Sequence, residues 1–245
     1  MCGVRGAGCE VLGKKKLVIF VNKYNIEPMK KRIYNLLGIV ILLGFTMPVI
    51  SQDIILPAPD KTGGKPLMQA LNERQTIRTF TADNLSVQQL SDLLWAAWGY
   101  NRPSEKKRTA PSSRNVQEID VYAALKSGLY LYDAETHTLK QIHNRDIRAL
   151  TGTQDFVGTA ALNLIYVADM AKFGKKEGDE IKDSELLSPY VNTGFIAQNV
   201  YLYCASANLA CVVRGMVPKD KLAPEMGLRS NQVIILGHTI GVPSQ

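Results

Sequence analysis

Histidine is scarce in this chain of 245 residues: His137, His143 and His238 are the only three, at spacings that suit no metal site. His-Glu-x-x-His and Cys-x-x-Cys are both missing, so no local motif supports zinc chemistry. Gly8 to Lys14 copies the Gly-x-x-x-x-Gly-Lys spacing, but Lys15 stands where a Ser or Thr must hold magnesium. Ser104-x-x-Lys107 matches a penicillin-binding nucleophile pattern only nominally, without its partner motifs. Internal repeats and low-complexity stretches are absent. Of the four cysteines, Cys2 and Cys9 lie near the N-terminus. Cys204 and Cys211, if carried on one helix, stand roughly 10 Å apart, too far for a disulfide, and read as small core residues.

A basic surplus is missing from most of the chain, although the formal charge is +7. Residues 1–51 hold eight Lys/Arg against two acids, which leaves 21 bases and 20 acids for the remainder. The body therefore lacks the electrostatic footprint of a nucleic-acid-binding surface. Met29-Lys30-Lys31-Arg32 precedes an uncharged stretch from Ile33 to Ile50, the order of a secretory signal. Val49-Ile50-Ser51 before Gln52 supplies a cleavage point, and no Cys follows closely enough for a lipoprotein anchor. The expectation is a leader over 1–51 with a signal peptide at 29–51, translation beginning at Met29 and 1–28 a gene-start artefact. Export, to a periplasmic location, follows. The alternative is an uncleaved anchor, since the apolar stretch approaches spanning length; the leader is then the only membrane contact.

Gln52 to Lys65 carries Pro57, Pro59, Gly63 and Gly64 and reads as a linker, so the folded domain is expected over 66–245. Pro66 to Glu73 reads as a short helix, and Thr79-Phe80 as extended. Ser86 can cap a helix from Val87 to about Gly99, whose Leu90, Leu93, Leu94, Ala97 and Trp98 follow the 3.6 period of a core-facing stripe. Asn101 to Arg114 is a polar, basic loop. Glu118 to Leu125 and Leu129 to Asp133 are strands joined by a hairpin at Lys126-Ser127-Gly128, and His137 to Ile142 is a further short strand. Arg145 to Thr151 reads as helical. Ala161 to Ala168 is a nearly continuous apolar run, the pattern of a buried strand. Phe173 to Leu187 is charged and irregular. Tyr190 to Leu209 is the longest helical candidate, apolar on most faces, and Gln232 to Leu236 is the last strand. Strands interrupted by helices without βαβ regularity indicate an α+β fold.

Three segments carry chemistry. Arg74-Gln75-Thr76-x-Arg78 places two forked guanidinium donors and a hydroxyl directly after a helix, donors suited to a phosphate dianion. Two surface arginines are the plain alternative. Ala110-Pro111-Ser112-Ser113-Arg114-Asn115-Val116-Gln117 is a turn leading into a strand. Its Asn115 amide suits either an Asx turn or the polar edge or ribityl chain of a flavin. At Asn208 to Gly215 the long helix ends, and Gly215 allows backbone to approach a flat ring.

In this order the segments resemble the nitroreductase family over residues 66 to 242. The Arg74-Gln75-Thr76-Ile77-Arg78-Thr79-Phe80 run is similar to its Arg-Arg-Ser-x-Arg-x-Phe opening. Pro111, Ser112, Asn115 and Gln117 match its Pro-Ser-x-x-Asn-x-Gln element. Gly194 to Leu202 resembles its long dimer helix, and Leu236-Gly237-His238 its closing strand. Leu93 to Gly99 with Thr109 to Ser112 looks closest to the branch containing azoline-oxidising dehydrogenases.

The resemblance implies a central, mostly antiparallel sheet flanked by helices, with FMN bound at a homodimer interface. By match, Arg74, Gln75, Thr76 and Arg78 surround the phosphate, Asn115 meets the polar ring edge, and Arg214 and Gly215 lie near N5. Arg214 departs from a position that is often acidic. Many members also carry a Lys/Arg pair after the last strand, which the residues up to Gln245 lack; the phosphate is left to Arg74 and Arg78, with Arg214 and Arg229 as further candidates. The implied activity is an FMN-dependent transfer of a hydride or electrons from a small-molecule donor to a nitroaromatic, quinone or similar acceptor. No dedicated general acid is visible, and export without a twin-Arg signal argues against NAD(P)H as donor. Two alternatives share the motifs: an exported flavin-binding homologue without turnover, and a substrate dehydrogenase within a modification complex.

Overall fold

A computed structural model describes residues 52–244; the expected leader, with its signal segment at 29–51, lies outside the described residues. The strands are β1 (Ile54–Ile55), β2 (Tyr100–Arg102), β3 (Lys107–Arg108), β4 (Ile119–Leu125), β5 (Gly128–Asp133), β6 (Thr138–His143), β7 (Leu162–Asp169), β8 (Ala210–Arg214) and β9 (Gln232–Gly241). The helices are α1 (Leu67–Glu73), α2 (Val87–Trp98), α3 (Leu187–Ser206) and α4 (Lys219–Glu225). Among the described residues one sheet has the order β1-β6-β5-β4-β7-β9-β8, and each neighbouring pair is antiparallel. The fold is α+β, as the interrupted pattern of strands indicates.

β7 is buried along nearly its whole length, which explains its continuous apolar sequence: both of its faces are covered. On one side of the sheet, Leu93, Leu94 and Trp98 of α2 and Ile196, Val200 and Tyr201 of α3 pack with Ile119, Val121, Leu164 and Ile235 of the strands. On the other side, Tyr122, Ile165 and Ile234 form a smaller core with Leu222 of α4 and Met226. Ser86 begins α2 with a capping box, its hydroxyl accepting the Gln89 N–H and the Gln89 side chain accepting the Ser86 N–H. At its end α3 is closed by Asn208, which adopts a left-handed φ of 54°, while the Leu209 N–H returns to Cys204 O.

Several elements depart from expectation. The 52–65 stretch is not a free linker: Ile54 and Ile55 pair with Leu139 and Thr138, and Leu56 is buried. An open sheet edge at β6 accepts this short strand despite the prolines that follow. Ser91 reinforces it by donating to Pro57 O at 2.6 Å. The basic 101–114 loop contains the β2–β3 hairpin. Arg145 to Thr151 forms only a 3₁₀ turn over Arg148–Thr151, because the Arg148 side chain is drawn to Asp146 and Ala160 O. α3 starts and stops three residues earlier than the apolar pattern suggests. Cys204 and Cys211 do not share a helix: one is on α3, the other on β8, and both are buried free thiols.

Candidate functional site

Arg74 is the residue at which α1 ends, its N–H still donating to Ala70 O. Beyond it the chain is extended, and the Ile77 N–H donates to Cys211 O at 3.1 Å, which ties the arginine segment to β8. Arg74 and Gln75 line a cavity of about 460 Å³ together with Cys204, Asn208 and Leu209 from the end of α3, and Pro243. Burial next to Cys211 pushes the Cys204 thiol well above its ordinary value, so this wall is uncharged. Arg74 lies against an aromatic ring: its guanidinium carbon is 5.4 Å from the Tyr201 ring centre, within cation–π range. The Tyr201 hydroxyl accepts the Val213 N–H at 3.0 Å and stands 3.2 Å from the Thr76 hydroxyl.

A second support was not legible as such. Lys65, at the end of the expected linker, donates to Glu73 at 2.6 Å, Asn208 at 2.6 Å and Ala205 O at 3.0 Å. It thereby staples α1 to the end of α3, two walls of the same cavity. Hydrogen bonds from Lys65 and then Gln69 hold the Glu73 carboxyl below its ordinary value, so Glu73 is a carboxylate neutralised by Lys65 rather than an acid in reserve. Only the Pro-Gly composition of 52–65 was informative in the sequence, and it pointed elsewhere.

Behind Tyr201 lies His238, fully buried, with ring centres 4.9 Å apart. Its Nδ1 is 3.1 Å from the Tyr166 hydroxyl, and its Nε2 has no hydrogen-bond partner. Burial, aided by the charge of Arg214, pushes its pKa down to about 3. His238 is therefore a neutral ring in the interior.

Asn115 belongs to a different cavity, of about 280 Å³, which it lines with Arg102, Lys107 and Ser112. Its turn is conformationally costly: Arg114, Asn115 and Gln117 all have left-handed φ values, of 51°, 56° and 55°. Three such non-glycine residues in four positions persist only where surrounding bonds over-determine them. Here the Gln117 N–H donates to Ser112 Oγ and the Ser113 N–H to Asn192 Oδ1. Asn192, on α3, in turn donates to the buried Glu118 at 2.7 Å. Arg108, one of the bases of the 101–114 loop, is not on a solvated face. Its guanidinium sits 4.5 Å and 4.7 Å from the Trp98 and Tyr100 ring centres.

The remaining candidates fall elsewhere. Arg78 is exposed and outside the Arg74 cavity. Arg214 is turned away from that cavity, because side chains alternate along β8 and its neighbour Val213 packs on the α3 side. The Arg214 guanidinium donates to Thr239 at 2.8 Å, Thr151 O at 2.9 Å and Asn163 at 3.3 Å, and is 5% exposed. Burial brings its pKa down to about 10. Its expected place beside a ring is thus replaced by an interior one. Arg229 is paired with Asp169 at 2.8 Å. Gly215 is exposed, with no atom beyond its chain neighbours within 4 Å of the position a Cβ would take, so its backbone is open to a flat group.

Comparison with known proteins places the chain in a family. The profile of the nitroreductase family matches residues 71–242. A structure from Ralstonia eutropha, assigned as a nitroreductase, is 41% identical, with a TM-score of 0.73 and coverage of 81% of this chain and 93% of that one. A Methanocaldococcus jannaschii protein with the same assignment is 24% identical over 69% of this chain and 88% of its own length. Likeness of fold alone extends to a Desulfovibrio desulfuricans nitroreductase-type protein in complex with FMN, at 18% identity, a TM-score of 0.53 and coverage of 75% and 89%. The motif order, the antiparallel sheet with its long helix, and the profile match across most of the chain lead to one conclusion: this chain belongs to the nitroreductase family.

Proposed function

We propose that the protein is an FMN-dependent oxidoreductase that passes electrons from a small-molecule donor to a nitroaromatic, quinone or similar acceptor. The redox chemistry is supplied by the bound flavin, while the chain binds and orients it. The observation that carries this reading is the Arg74 cavity, where a guanidinium is held over Tyr201 beside the Gln75 side chain. Arg74 offers forked, charge-assisted donors to a phosphate, and Gln75 adds a neutral one; the Thr76 hydroxyl stands outside the cavity lining, against Tyr201. Arg78, exposed nearby in sequence, reaches the phosphate only by turning toward it. Asn115, which lines a cavity separate from that of Arg74, is assigned the polar edge of the ring, and Gly215 leaves backbone open to it. Glu73, held as a carboxylate by Lys65 and then Gln69, is not a proton donor in this reading.

A homodimer fits this reading. One face of α3 packs on the sheet, while Leu187, Tyr190, Val191 and Phe195 on the other are 42% to 68% exposed. A second copy covering this stripe removes it from water. Export to the periplasm is part of the proposal, carried by the Met29–Ser51 pattern of the sequence.

The test is the absorption spectrum of the purified protein after reconstitution with FMN, followed by anaerobic bleaching with NADH, NADPH or dithionite and re-oxidation by a nitroaromatic or a quinone. A flavin spectrum that bleaches and recovers with acceptor is expected. Absence of flavin would overturn the reading; flavin that bleaches with dithionite but yields electrons to no acceptor would leave a binding protein without turnover.

A further inference from the structure

The Asn115 turn contains a chain of hydrogen bonds whose polarity is forced. The Arg108 guanidinium can only donate, and its Nε lies 2.7 Å from Gln117 Oε1, while its Nη1 donates to Trp98 O at 2.6 Å. The oxygen of the Gln117 amide is thereby assigned to Arg108. Its nitrogen must then face the other way, where it donates to Lys106 O at 2.8 Å and to Asn115 Oδ1 at 3.1 Å. Lys106 O can only accept, which fixes the same orientation independently. Since Gln117 presents a donor, Asn115 is held by its oxygen, which leaves its NH₂ group outside this network on an exposed residue that lines a cavity. An amide left to itself presents either end.

We propose that Arg108 and Gln117 are positioning residues that set the Asn115 amide with its NH₂ toward the cavity, so that the group recognised there is a hydrogen-bond acceptor, a ring carbonyl oxygen of the flavin, and not the ring N–H between its carbonyls. This rests on the flavin reading above. Arg108 is suited to the role because it does not move freely: its guanidinium lies between the Trp98 and Tyr100 rings. The left-handed backbone at 114, 115 and 117 brings the two amides within bonding distance of each other.

Gln117→Glu keeps an acceptor for Arg108 but has no N–H for Asn115, whose amide then turns its oxygen outward. FMN affinity, read by quenching of flavin fluorescence, is expected to fall about tenfold, the size of one charge-free contact turned from attractive to repulsive. The carbonyl stretch of bound isotope-labelled FMN is expected to move to higher frequency as its hydrogen bond is lost. In an Asn115→Leu background, Gln117→Glu is expected to add nothing. Asn115→Asp, which leaves Gln117 intact, should reproduce the loss and guards against a folding defect in the first variant. An unchanged carbonyl frequency in Gln117→Glu, or an equal loss of affinity with and without Asn115, would overturn the relay while the flavin reading stands. Failure of the unsubstituted protein to bind FMN would overturn both.

Discussion

The Arg74 guanidinium carbon lies 5.4 Å from the centre of the Tyr201 ring. This contact joins the segment after α1 to the last third of the longest helix and gives a cationic side chain a defined place at the cavity. Arg74 and Arg78 look equivalent in sequence; in the fold only Arg74 lines the cavity.

Replacing both Arg74 and Arg78 with Ala is expected to abolish flavin retention while leaving the circular dichroism spectrum unchanged. The singles should be unequal. Arg74→Ala loses a charge-assisted contact of about 1.5–3 kcal/mol, or roughly ten- to hundredfold in affinity, whereas Arg78→Ala loses less. Titration of each apoprotein with FMN decides it, and equal losses would mean that Arg78 turns into the cavity on binding.

His238 makes stability fall in acid. Its folded pKa is about 3, below the unfolded value near 6.5, so between these limits the unfolded chain binds a proton that the folded one refuses. Stability contributed by the neutral ring is present above about pH 6.5 and is lost as pH falls toward 3, at up to about 1.4 kcal/mol per pH unit. Urea denaturation at pH 7, 5.5 and 4.5 should show this slope in the native protein and a shallower one in His238→Gln. Parallel slopes would contradict the assignment.

Arg214 and Gly152 share one space, for a Cβ on Gly152 would collide with the Arg214 guanidinium. Gly152→Ala should therefore displace a buried cation from Thr151 O and Asn163 and destabilise by about 1–3 kcal/mol. Gly194, where no atom lies within 4 Å of an added Cβ, provides the contrast: Ala there should leave the protomer unharmed or stabilise it by about 1 kcal/mol. Thermal unfolding of the two variants measures the difference.

The exposed stripe of α3 predicts the effect of a charge. Phe195→Asp, at a site 43% exposed in the protomer, should cost the fold little but place a carboxylate in the proposed interface, where burial without a partner is unfavourable. Light scattering should then give a protomer mass where the native protein gives twice that. An unchanged dimer would move the interface elsewhere.

Much of the fold was legible locally. Apolar spacing from Leu90 to Trp98 and the Ser86–Gln89 pair define α2 because a helix repeats its environment every few residues and its caps are neighbours in sequence. The run from Ala161 to Ala168 could likewise be read as a buried strand, observed over Leu162–Asp169. β8 was hidden, since five residues directly after a helix carry too little periodicity to separate a strand from a helix end. β1 was hidden too, for a two-residue edge strand is specified by the open β6 backbone that receives it and not by its own pattern.

The sequence by itself determined where donors and bare backbone stand: Arg74, Gln75 and Thr76 after a helix, Asn115 in a polar turn, and Gly215. Tertiary structure decided which of them share a space and which way they point. Strand alternation turned Arg214 into the far side of the sheet, beside Asn163 and Thr239. Lys65 became a staple only when Asn208, more than a hundred residues away, came within 2.6 Å. The Asn115 amide acquired a direction only through Arg108 and Gln117. Donor geometry depends on contacts between distant segments, and local spacing carries no record of those.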